Sequence, residues 1–184
     1  MTSVLDRLAS AIADRGLVQI ERGGFDPRDR TFHGYPLATG DDLVLLSVLS
    51  DRIDLDGYEA IKIQDITSCE LDFPRKAFYQ KALELKGEVP GPVPALDLTS
   101  IRAMLDSAQR QFPLFVIHRE RVAPGECEIG RLKLTSDEAF AIHYIDPSAQ
   151  WADDAEHYRY ADVTRVGFGD EYAKTLALVA GVTV

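Results

Sequence analysis

The sequence predicts an α+β protein built from two tandem copies of one unit. The unit is a helix, five antiparallel strands closed as a small β-barrel, and a C-terminal helix, with the copies related by a pseudo-twofold axis. Three observations predict it. A phrase running Gly34–Tyr35–Pro36–Leu37–Ala38–Thr39–Gly40–Asp41–Asp42–Leu43–Val44–Leu45–Leu46 returns as Gly130–Arg131–Leu132–Lys133–Leu134–Thr135–Ser136–Asp137–Glu138–Ala139–Phe140–Ala141–Ile142. Thr2 to Arg22 aligns without a gap onto Thr99 to Arg119, with Thr2/Thr99, Ser3/Ser100, Leu8/Leu105, Ser10/Ser107, Ala11/Ala108, Leu17/Leu114, Ile20/Ile117 and Arg22/Arg119 identical. Pro90, Pro92 and Pro94 then mark a stiff extended linker between the copies. A repeat of this length means one supersecondary unit used twice. The expected organisation is residues 1–88, a linker at 89–96, and residues 97–184.

The elements follow in order. Val4, Leu8 and Ile12 fall on one helical face. Thr2 or Ser3 can cap that helix, Ser3 and Asp6 make a capping box, and Gly16 ends it. Leu17 to Ile20 reads as a strand and Gly23 to Pro27 as a loop. Strands are expected over residues 31–38 and 42–49, joined by a tight turn at Gly40–Asp41. The second of these is nearly all apolar, which predicts burial on both faces. A turn at Asp54–Leu55–Asp56–Gly57, a strand over 58–63, a break at Gln64–Asp65 and a strand over 66–71 complete the five. Pro74 suits the first turn of a helix whose stripe is Phe78, Ala82 and Leu85, and Gly87 stops it.

The second copy repeats the pattern. Ile101, Leu105, Ala108 and Phe112 form the helix face, and strands are expected over 115–121, 128–134, 138–145, 157–161 and 164–168. Asp170 caps the last helix, whose stripe is Tyr172, Leu176 and Val179.

A helix followed by five short, bent strands, with a glycine, an apolar stretch, a turn aspartate and an apolar strand (Gly34…Asp41…Val44–Leu45–Leu46 and Gly130…Asp137…Phe140–Ala141–Ile142), resembles the Sm-like small β-barrel family. The resemblance implies a barrel fold over most of each copy. That family binds uridine-rich RNA with an Asn after the turn aspartate and an Arg-Gly pair between the fourth and fifth strands. Here Asp41–Asp42–Leu43–Val44 has no Asn, and Gln64–Asp65 and Ala161–Asp162 stand in place of Arg-Gly. The resemblance therefore implies the fold and not that route to RNA.

The net charge is −10. Residues 1–92 hold 11 basic and 16 acidic groups and residues 93–184 hold 9 and 14, so each half stands at −5. Phosphate backbones are held by clustered Lys and Arg, so nucleic acid is disfavoured. No apolar run approaches the roughly 18 residues of a membrane span. The N-terminus lacks the basic-then-apolar order of a signal peptide, and cytoplasm is the expected location. Cys69 and Cys127 occupy non-equivalent positions and read as strand thiols.

Candidate sites are few. Asp65 and Asp162 recur and suit local turn bonding. Asp51, Asp54 and Asp56 resemble a cation loop, but the spacing is wrong and the second copy does not keep it. His33, His118, His143 and His157 lack metal spacing, and Cys127 with His118 or His143 carries no mark of an activated thiol. Arg22, Arg28 and Arg30 with His33, and Arg119, Arg121 and Arg131 with His118 and Lys133, flank the first hairpin of each copy; the arginines could bind an anion, and the bland alternative is edge charges that block sheet aggregation. The expected function is non-enzymatic: a binding or adaptor protein that meets a protein partner or another copy of itself. RNA or another anion at the arginine hairpins, and an enzyme of unrecognised type, are the alternatives. No cofactor, metal or catalytic residue is expected, and no membrane partner.

Overall fold

The computed structural model describes residues 3–183, apart from the side chain of Leu134; the Thr2 cap lies outside that range. The chain runs α1 (Val4–Asp14), β1 (Val18–Arg22), α2 (Pro27–Arg30), β2 (Thr31–Thr39), β3 (Leu43–Leu49), β4 (Leu55–Lys62), β5 (Ile66–Glu70) and α3 (Lys76–Lys86). The second repeat follows as α4 (Ile101–Ala108), β6 (Phe115–His118), β7 (Cys127–Thr135), β8 (Ala139–Tyr144), β9 (Glu156–Arg159), β10 (Arg165–Phe168) and α5 (Glu171–Val179). Single 3-10 turns at Ile63–Asp65 and Tyr160–Asp162 join the fourth strand to the fifth in each repeat.

All ten strands form one sheet in the order β5-β1-β2-β3-β4-β10-β6-β7-β8-β9. This corrects the expectation of two closed Sm-like barrels. Closing either unit would need its fourth and fifth strands to pair with each other. Instead β4 bonds β10, with Ile61 opposite Arg165 and Tyr58 opposite Phe168, and β5 and β9 remain free edges. The pseudo-twofold expectation is corrected too. A twofold joint pairs like with like, whereas here the fourth strand of one repeat meets the fifth strand of the other. The repeats are joined head to tail.

The duplication itself is clear in the register. Ile20 pairs Cys69 as Ile117 pairs Val166, a shift of 97 residues. A bulge between Pro36 and Ala38 returns between Leu132 and Leu134. The repeated glycine now has a reason: a Cβ on Gly34 would collide with the Ser47 carbonyl, and one on Gly130 with the His143 carbonyl.

Several elements form as their sequences predict. Ser3 and Asp6 make the capping box of α1. The Asp170 carboxylate accepts the Ala173 N–H at 2.8 Å and caps α5. Gly87, at φ 71°, closes α3. Leu43, Val44, Leu45 and Leu46 are all fully buried. Val44 and Leu46 face a core closed by Leu8 and Ala11 of α1. Leu43 and Leu45 point the other way, into the second repeat's core with Met104, Leu105 and Ala108 of α4. Each such side chain contributes about 1.5–3 kcal/mol on burial, so the back of the first repeat is part of the second repeat's core.

Other elements differ. The turn expected at residues 54–57 sits earlier, at 50–54, and Leu55 already belongs to β4. Gly57 lies within that strand at φ 75° because the Asp170 backbone nitrogen passes where a side chain would be. A short helix, α2, follows the Gly23–Pro27 loop. Arg15, not Gly16, takes the left-handed cap of α1. Pro74 precedes α3 rather than opening it. The buried side of α3 is Leu83, with Tyr79 against His33; of the expected stripe, Phe78 is 51% and Leu85 75% exposed and Ala82 is half-buried. Among the described residues no helix is long and apolar enough to cross a membrane.

Candidate functional site

The repeats meet at a buried ionic seam. Arg22, fully buried at the end of β1, donates from both terminal nitrogens to Glu120 in the second repeat, at 3.0 and 2.7 Å. Arg165 on β10 donates to Glu120 at 2.7 Å and to Glu59 on β4 at 2.7 Å, and lies 3.4 Å from Asp29. The Thr164 hydroxyl donates to Glu120. Phe25 stacks beneath Arg22, and Arg121 reaches over the same ring to Asp65. Burial works against the Glu120 charge, but the Arg22 bonds, Arg165 and Thr164 hold its pKa down to about 2. A buried ion pair needs this many partners to offset its desolvation.

Beside the seam lies a cleft of about 370 Å³ bordered by Glu59, His118, Cys127 and Arg165. It brings together the thiol and imidazole named from the sequence, directly opposite each other across β6 and β7. Their electrostatics run against nucleophilic chemistry. Burial, then Arg165, lowers the His118 pKa to about 3, and burial raises the Cys127 thiol. Both groups are driven to their neutral forms, the reverse of a thiolate–imidazolium pair. Among the described residues no group of three His, Cys, Asp or Glu is placed to share a metal ion.

Two larger clefts occupy equivalent places. One, of about 690 Å³, is bordered by Ile12, Arg15, Tyr35, Pro36 and Leu37 and by the linker residues Val89 to Val93. The other, of about 550 Å³, is bordered by Gln109, Phe112, Arg131, Leu132 and Lys133, by His143 and Trp151, and by Ala180 to Thr183. Each lies between the end of the repeat's first helix, its bulged second strand and the segment after its last helix. The first is mostly apolar, with Arg15 its one charged residue among those described, and is walled by the chain's own prolines; the second is basic.

The six arginines thus separate. Arg22 and Arg121 are brought into the seam. Arg119 is 2.5 Å from Glu128 and covers Tyr158. Arg28 is exposed and pairs with Asp26, and Arg30 donates to the Phe25 carbonyl at 3.3 Å. Arg131 alone of the six borders the basic cleft. Asp65 bonds Arg121, and Asp54 meets Lys86 at 2.5 Å. Sequence reasoning placed Lys133 among the hairpin charges and weighed His143 only as a metal ligand or thiol partner; it passed over Trp151 and Glu120. A position-by-position comparison of the repeats would have set Lys133, His143 and Glu120 apart, because their equivalents in the first repeat are Leu37, Ser47 and Gly23. Comparison of the chain with known protein families, curated proteins and solved structures returns no match.

Proposed function

We propose that this chain is a non-enzymatic binding protein that acts through protein–protein contacts. The observation that carries this reading is the apolar surface left on the outer helices. Phe78 and Leu85 on α3 face solvent, and on α5 the residue equivalent to Leu85, Leu178, is 79% exposed beside Tyr172 and Val179. Large apolar side chains in solvent at the same place in both repeats are a feature of interaction surfaces. The head-to-tail seam supports the reading, since it holds the two helices on one sheet. The neutral His118 and Cys127 lend no support to an enzyme. The RNA alternative has less support than the sequence offered, because Glu120, Glu128 and Asp65 engage Arg22, Arg119 and Arg121.

The test is the triple variant Phe78→Ser, Leu85→Ser, Leu178→Ser. These positions are exposed, so its urea midpoint should match the parent within about 0.5 kcal/mol. Light scattering and cross-linking should show an assembly or a defined complex with the parent chain that the variant loses. A parent chain that is strictly monomeric and cross-links to nothing would sink the reading.

A further inference from the structure

The structure assigns an oxyanion-binding site to the basic cleft of the second repeat. The ligand class is a compact anion with two or more negative charges, a phosphate ester or a polycarboxylate. Arg131 on β7 stands directly opposite His143 on β8. The bulge between Leu132 and Leu134 falls at Lys133, and bulges re-aim side chains. Lys133 consequently borders the same cleft as Arg131. The His143 ring is held in place: it stacks on Trp151 at 4.6 Å, and its Nε2–H donates to the Ala152 carbonyl at 2.9 Å. Gln109 adds an amide at the rim.

Two features separate this cleft from a solvated charged face. Among the described residues no Asp or Glu borders it, in a chain whose acidic groups outnumber its basic ones by 30 to 20. Neither Arg131 nor Lys133 enters an ion pair among the described residues, although four of the other five candidate arginines do. Arg131 and Lys133, two residues apart on β7, border one cleft, and like charges held close repel; an anion between them removes that cost. The fold does not ask for these charges either. The first repeat builds the same bulged hairpin with Tyr35, Leu37 and Ser47 at the matching positions. The charges belong to the cleft and not to the scaffold.

Trp151 is the single tryptophan and reports directly on the site. Its fluorescence should change saturably on titration with pyrophosphate or with citrate at constant ionic strength. The two anions distinguish phosphate from carboxylate recognition. Replacing Arg131→Tyr or Lys133→Leu, the residues of the first repeat, should weaken the preferred anion roughly tenfold each, the loss of one charge-assisted contact. The urea midpoint should hold, and the remote control Arg52→Ala should bind normally. No saturable change with either anion overturns the proposal. So does a change that potassium chloride reproduces, or one that survives in the Arg131→Tyr, Lys133→Leu double variant. The outer-helix residues of the proposed protein contact do not border this cleft, so the two ideas fail separately.

Discussion

The seam between the repeats and the two free edges of the sheet are the same pair of strands in different company. At the seam β4 meets β10; at the ends β9 and β5 are the equivalents, and no strand pairs with their outer sides. Arg165, which ties β10 to Glu59 and Glu120, is replaced on β5 by Ser68. Gly167, which faces Glu59, is replaced by Glu70. Glu120, which receives Arg22, is replaced by Gly23, and Arg119, the equivalent of Arg22, turns back to Glu128 in its own repeat. A second copy added at the edge in the seam's register would set Glu156 opposite Glu70, and like charges directly opposite destabilise a pair. Arg7 also donates to the Cys69 carbonyl at 3.2 Å and to Glu70 at 3.0 Å, so part of the β5 edge is already covered. The residue equivalent to Arg7 in the second repeat is Met104, buried in the core. The backbone offers the same junction twice; charge decides that it forms once.

The largest effect should come from the seam carboxylate. Glu120→Ala leaves Arg22 buried without its partner and should cost about 3–5 kcal/mol of unfolding free energy in urea. Glu128→Ala frees the equivalent Arg119, which keeps 20% of its side chain in solvent where Arg22 keeps none, and should cost less. Equal losses would mean the seam is no more demanding than an edge. Acid gives the next effect. His118 is neutral in the fold, with a pKa of about 3 against an ordinary 6.5, so the unfolded chain takes up a proton first and stability falls as pH drops from about 6.5 towards 3. Glu120, at about 2 against 4.5, gives stability that is present above 4.5 and lost towards pH 2. Glu59 runs the other way, since burial raises its pKa and its ionisation costs stability as pH rises. His118→Leu isolates the first contribution: urea midpoints at pH 7 and pH 5 should lie closer together in the variant than in the parent.

Much of the local structure was legible in the sequence because its causes are local. Ser3 caps α1 through Asp6 three residues on, and the continuous run at Leu43 to Leu46 can be satisfied only between two cores. The arrangement of the strands was not legible in the same way. Hairpin signals pair neighbours, but whether β4 closes on its own repeat or joins β10 depends on Arg165 finding Glu59, 106 residues away, and on Arg22 finding Glu120, 98 away. Gly57 read as a turn because glycine signals a left-handed backbone; its actual reason is the approach of Asp170 from the other repeat. The α3 stripe misled because periodicity shows that a helix has an apolar face and not which body it packs on. The basic cleft was not legible as one site because Arg131, Lys133, His143 and Trp151 come from separate segments, and nothing local brings the named arginine and histidine together.

The smallest change in stability should give the clearest reading of the comparison. Arg7→Met, Ser68→Arg and Glu70→Gly together rebuild on β5 the residues that β10 carries at the seam. Substitutions at these partly buried edge positions should move the urea midpoint by about 1 kcal/mol or less. They remove the guanidinium from the Cys69 carbonyl, remove the carboxylate that would face Glu156, and supply a cation that can reach it as Arg165 reaches Glu59. An uncovered edge without opposing charges is a template for further pairing. The triple variant should therefore assemble head to tail through β5 and β9, with a mass in light scattering that grows with concentration. Adding Glu156→Lys to the same chain should return it to the parent's mass, because the supplied arginine would then face a like charge. If the triple variant keeps the parent's mass at every concentration, the side chains of the edge are not what ends the sheet.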